Sequence, residues 1–116
     1  MKQKTRNKRL QFDTKTKQNI AQRDMTCLFC RQQYNMSKNE DEYGYSIPDI
    51  AHFVNKSAGG LGTEKNGVLV CRYHHQLLDN GNKGLREEML SRMEAYLKSI
   101  YPDWKKEELY YRKYDF

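Results

Sequence analysis

Asn66-Gly67-Val68-Leu69-Val70-Cys71-Arg72-Tyr73-His74-His75-Gln76-Leu77-Leu78-Asp79 is the stretch on which the reading of this chain turns. Gly67 to Val70 is a short apolar run suited to a strand. Arg72 to about Asp79 reads as a helix, stopped by Asn80-Gly81 and Gly84. A strand therefore delivers a thiol, Cys71, straight into a helix that carries two histidines. His74 and His75 are neighbours on that helix, so their side chains point about 100° apart and cannot easily serve one ion. One faces one site and the other faces a second.

Working upstream, Cys27 and Cys30 repeat the two-residue spacing that separates Cys71 from His74. Four such donors, two from each of two knuckles, are what a structural zinc ion requires. The set Cys27, Cys30, Cys71 and His74 would clamp the ends of the 40 residues that lie between the knuckles. Three cysteines cannot all pair within one chain, and a C-x2-C spacing in a reducing compartment favours metal over disulfides. Ordinary buried thiols are the alternative, since free cysteine packs as a small hydrophobe. With His74 assigned to zinc, His75 is left with Asp79 one helical turn later on the same face. That pair suits a second, divalent cation. A surface histidine beside a capping aspartate would look the same.

Elsewhere the pattern predicts a basic arm over residues 1–12 without apolar periodicity, hence flexible. A helix follows from Asp13 or Thr14, as cap, to about Arg23, presenting Ile20. Met25 to Arg31 reads as a tight knuckle and the polar segment Gln32 to Tyr45 as a loop with weak order. Ser46 to Val54 is rich in strand formers, and Gly59, Gly60 and Gly62 turn the chain back toward the second strand. Leu85, Met89, Met93, Tyr96, Leu97 and Ile100 recur at helical spacing and predict a core-facing helix ended by Pro102. Asp103 is positioned to cap a last short helix from Trp104 to about Tyr110, with Tyr111, Tyr114 and Phe116 packing back or meeting a partner.

A chain of 116 residues makes one small domain, and with 37% hydrophobic residues its core is thin enough that a metal staple is expected. The net charge of +6 resides entirely in residues 1–24, while the remainder is balanced, 13 basic against 13 acidic. Lys2, Lys4, Arg6, Lys8, Arg9, Lys15 and Lys17 are thus the expected contacts to a polyanion, and nucleic acid is the usual one. A solvated tail that aids solubility is the plainer reading. No apolar run approaches the ~20 residues of a membrane span, and the basic N-terminus lacks the apolar stretch of a signal peptide. A soluble, cytoplasmic protein is expected.

The remaining histidine, His52, falls on the first predicted strand, and Asn66 falls just before the second. In Ala51-His52-Phe53-Val54, Ser57-Ala58-Gly59-Gly60, Asn66 through Cys71 and His75-Gln76-Leu77-Leu78-Asp79, the chain resembles the HNH nuclease family, of the ββα-metal fold. It looks closest to the small HNH endonucleases of phages and prophages, whose zinc-knuckle members frame the motif with cysteine pairs. The likeness covers residues 14 to 81 well and the C-terminal tail with less specificity. It implies a small α+β fold: a single nuclease domain over residues 13–116, a ββα core over about 46–81, a zinc-knuckle frame and C-terminal helices over 85–116.

The resemblance further implies a metal-dependent DNA endonuclease, or a nickase, set against the minor groove and, if phage-encoded, acting in a bacterial host cell. His52 matches the general base that takes a proton from the attacking water. Asn66 matches the residue whose amide pins the loop and orients that base. His75 and Asp79 match ligands of the catalytic cation, Mg2+ or another such as Mn2+ or Ni2+, beside the structural Zn2+. Ala51 departs from the His or Asp that many members carry before the base; Asp49 is the nearest acid, although in a regular strand it shares a face with Ala51 and not with His52. The partner implied is DNA, whether the chain acts alone, paired, or within a packaging or other nucleic-acid machine. The competing reading is a catalytically silent zinc module that binds nucleic acid or a protein partner. A zinc-ribbon transcription factor would need closer-spaced knuckles and no Asn66.

Overall fold

The computed structural model describes residues 6–36, 42–80 and 84–112. Its helices are α1 (Arg6–Leu10), α2 (Thr14–Asp24), α3 (Leu28–Arg31), α4 (Glu42–Ser46), α5 (Arg72–Asn80) and α6 (Arg86–Ile100). Its strands are β1 (Pro48–His52) and β2 (Gly67–Cys71), with single 3-10 turns at Lys56–Ala58, Glu64–Asn66 and Lys106–Leu109. The result is a small α+β domain organised on one antiparallel pair, in which Asp49 lies opposite Val70, Ala51 opposite Val68 and His52 opposite Gly67.

Every residue of β2 is buried, which explains why Gly67 to Val70 reads as a continuous apolar run and not as an alternating one. The α6 residues Met89, Met93 and Leu97, spaced one turn apart, are fully buried in the same core as Phe29, Val68, Val70 and Leu78. Each such side chain contributes roughly 1.5–3 kcal/mol on leaving water. On α2, Asp13 caps the first turn by accepting from the Thr16 amide at 2.8 Å, and Ile20 alone supplies its apolar contact to the core.

The polar side of α2 is anchored by an ion pair. Arg23 grips its neighbour Asp24 through two contacts of 2.6 and 2.9 Å, and donates to the carbonyls of Glu64 and Gly67 at 2.8 and 2.7 Å. Asp24, 1% exposed, also accepts from the Leu69 amide at 2.8 Å and the Tyr96 hydroxyl at 2.5 Å. One carboxylate thereby ties α2, β2 and α6 together. Counted along the sequence, both residues are merely two charges of the basic region.

Four expectations change. The arm is not loose throughout: α1 is formed, Leu10 is 1% exposed, and the Gly62 amide donates to the Arg9 carbonyl at 2.9 Å, because a single apolar side chain finds a place in the core. The predicted weak loop contains α4 and a buried Tyr34. The first strand is shorter than residues 46–54, since Ser46 ends α4 and the Phe53 amide turns to the Asn66 carbonyl at 2.9 Å. The final helix is only the turn Lys106–Leu109; Asp103 does not cap it but meets Lys65 at 3.2 Å. Lys2, Lys4, Tyr114 and Phe116 lie outside the described residues. Among those described, no helix is long and apolar enough to cross a membrane.

Candidate metal centre and adjoining cleft

The two knuckles are built by the same local device. Cys27 precedes α3 and its sulfur accepts from the Cys30 amide at 3.4 Å; Cys71 ends β2 and its sulfur accepts from the His74 amide, also at 3.4 Å. Folding brings them face to face. His74 Nδ1 lies 3.2, 3.6 and 3.7 Å from the sulfurs of Cys71, Cys30 and Cys27, and the Cys30 and Cys71 sulfurs are 3.8 Å apart. Ligands placed tetrahedrally at zinc bond lengths of about 2.3 Å would be roughly 3.8 Å from one another, so these separations are close to those of a zinc donor set.

His74 is oriented for that role. Its Nε2 stands 2.7 Å from the Tyr34 carbonyl, which can only accept, so Nε2 carries the hydrogen and Nδ1 the lone pair. The rings of Tyr73, Phe29 and Tyr45 surround it at 5.0, 5.5 and 6.2 Å, and none of its surface meets water. Burial pushes the Cys27 thiol up, but the His74 imidazole and backbone amides outweigh it and hold it at about 7. Cys30 is pushed well up, by burial first and then by charge at Cys27 and Cys71. Three sulfurs and an imidazole nitrogen converging in one largely buried place suit a cation, which would hold the sulfurs as thiolates. Sequence reasoning found all four donors and missed Tyr34 and Tyr45, whose only signal was an aromatic residue at each end of a polar segment.

Around the helix from His74, His75 faces a cleft of about 640 Å³ lined by Phe12, Lys17, Asp49, Arg72 and Asp79 among others. Both of its ring nitrogens meet carboxylates: Nδ1 is 3.1 Å from Asp49 and Nε2 is 3.3 Å from Asp79. Arg72 fixes Asp49 from the other side through contacts of 2.7 and 3.2 Å. Burial would raise the Asp49 carboxyl, yet Arg72 and His75 hold it below the usual carboxylate range. Nδ1 makes the hydrogen bond to Asp49, and Nε2 stands beside Asp79, where the two side chains could share a cation. Their separation is near the roughly 3 Å between adjacent ligands at bond lengths of about 2.1 Å. The two carboxylates sit on opposite edges of the ring and do not converge. Among the described residues, the one group of three or more converging metal donors is Cys27, Cys30, Cys71 and His74.

His52 closes β1. Its Nε2 donates to the Leu10 carbonyl at 2.8 Å, which leaves the lone pair on Nδ1, and its ring packs on Phe12 at 4.2 Å. Burial lowers its pKa, with Leu10 opposing, and the charges of Lys56, His75 and Asp79 act on it. It is not part of the cleft lining, although its ring neighbour Phe12 is. Asn66, fully buried, accepts from the Val54 amide at 2.7 Å and donates to the carbonyls of Val54 and Leu61 at 3.1 and 2.7 Å. It pins the loop that joins the strands. Lys8, Lys15 and Lys17 are exposed, and Arg9 lies over the Tyr111 ring at 5.2 Å. No family model matches the chain, and comparison with curated proteins and with solved structures finds no significant match.

Proposed function

We propose that this protein is a metal-dependent DNA endonuclease of the HNH type, in which the two-stranded sheet and α5 form a ββα-metal core. One observation carries the reading: His52, its lone pair directed to Nδ1 by the Leu10 carbonyl, closes β1, the strand paired with β2 and packed against α5, which carries His75 and Asp79 side by side at 3.3 Å. A binding module has no need of that combination. The Cys3His group is the brace that carries β2 into α5 and so sets where His75 emerges.

The residues divide the work by their chemistry. His52 Nδ1 takes the proton of a water as its oxygen bonds to phosphorus, while the bond from phosphorus to the 3′ oxygen breaks. The depressed pKa keeps His52 neutral, hence a base, at pH 7. Asn66 holds the loop behind His52 by its three side-chain bonds. His75 and Asp79 would hold a divalent cation, which when bound supplies Lewis-acid stabilisation of charge on the phosphate and the leaving oxygen. Asp49, the acid that stands in for a ligand before the base, acts by fixing which nitrogen of His75 faces Asp79. Lys8, Lys15 and Lys17 supply the positive surface for the phosphate backbone.

The test is conversion of supercoiled plasmid to nicked or linear product by the zinc-loaded protein with Mg2+, Mn2+ or Ni2+, beside a His52→Ala variant. Cleavage by the native chain and its loss in the variant is the expected outcome; equal cleavage by both removes His52 as the base. A silent zinc module is the second reading. It is favoured by the occupation of both His75 nitrogens by carboxylates that do not converge, and predicts DNA retention without cleavage under every cation.

A further inference from the structure

The arm expected to trail free in solution instead ends against His52. Three independent contacts seat it. Leu10 is buried and its carbonyl takes the His52 Nε2 hydrogen at 2.8 Å. The Arg9 carbonyl accepts from the Gly62 amide at 2.9 Å, where a side chain on residue 62 would collide with the Gln11 backbone. Phe12 stacks on the His52 ring at 4.2 Å and fills the space left by Gly67, where a Cβ would stand 2.7 Å from the Phe12 ring.

We infer that Leu10 and Phe12 are positioning residues for His52: the seated N-terminal segment, through the Leu10 carbonyl and the Phe12 ring, decides which imidazole nitrogen bears the hydrogen and where the other one points. The inference rests on the proposed role of His52 as base. A neutral imidazole free of such a partner exchanges its hydrogen between two nitrogens, and only one form presents Nδ1 as acceptor. A backbone carbonyl makes that choice without a second titratable group. Lys8 and Arg9 immediately precede Leu10, so the segment that meets the phosphate backbone is the one that orients the base.

The experiment uses the zinc-loaded full chain and two variants, Phe12→Ala and Leu10→Asp, the first a milder change should the second fail to fold. Long-range nitrogen-proton NMR reads the tautomer of each histidine, with His74 as the internal control for an intact zinc brace. In the native chain His52 is expected as the Nε2-H form alone. In either folded variant it becomes a mixture, His74 unchanged, and kcat for plasmid nicking falls about tenfold or more with KM nearly constant. An unaltered His52 tautomer in both variants overturns the inference. So does a mixed tautomer with full kcat. If the native chain cleaves nothing, the nuclease reading falls by that result, while the His52 tautomer in the variants alone decides whether the segment positions the ring.

Discussion

The two faces of α5 hold adjacent histidines in opposite circumstances. His74 is fully buried, ringed by aromatics, and meets three converging sulfurs; His75 borders an open cleft, with carboxylates on opposite edges of its ring. Converging donors in a dry setting make a brace whose binding energy is folding energy. Donors spread around a solvent-facing ring form no such cage. One residue step along the helix suffices to separate the two, because neighbours diverge by about 100°.

The sharpest way to break the contrast is to withdraw zinc. Structural zinc contributes an apparent 10–16 kcal/mol or so in small metal domains, so a zinc-selective chelator, or Cys27→Ser, is expected to abolish the cooperative thermal transition seen by circular dichroism. Removal of magnesium should leave that transition in place. A chain that melts identically after chelation would deprive the His74 face of its structural role.

Next in size is the anchor of α2. Asp24→Ala leaves the half-buried Arg23 without its main partner, and the Leu69 amide and Tyr96 hydroxyl without theirs, and should cost about 3 kcal/mol, read as a lowered urea midpoint with an unchanged slope. That loss should fall on stability and not on divalent affinity at His75, which separates frame from cleft.

On the His75 face, Asp49→Ala frees Nδ1 and should weaken binding of Mn2+ to the zinc-loaded protein about 10- to 100-fold by calorimetry. Equal affinity would make Asp49 only a partner of Arg72. The smallest effect is pH dependence. His52 has a folded-state pKa below its unfolded value of about 6.5, so the unfolded chain binds its proton first as pH falls. Its contribution to stability is complete above about pH 6.5 and is lost as pH falls through the folded value. His52→Ala should flatten that acid limb in denaturant titrations, and a limb unchanged by the substitution would assign it to other groups.

How much could be foreseen varies with the range of the interaction. The x2 spacings announce both knuckles because ligation demands local turns, and the run at Met89, Met93 and Leu97 announces a buried helix because burial follows a 3.6-residue period. The polar segment before β1 was opaque: its use lies in a carbonyl, that of Tyr34, and in one ring, Tyr45, neither of which marks the sequence. Arg23 and Asp24 were equally silent, since adjacent opposite charges read as solvated until their distant partners appear.

By itself, then, the order of residues determined the donor set for zinc, the strand and helix that carry it, and the concentration of positive charge near the N-terminus. Tertiary structure alone decided that Leu10 and Phe12 lie against His52, that Asp49 reaches His75, and that the Asp79 and Asp49 carboxylates stand on opposite sides of one ring. Periodicity and spacing are properties of the chain and survive in one dimension. The hydrogen placed on a given imidazole nitrogen depends on a carbonyl 42 positions away, and only the folded chain brings the two together.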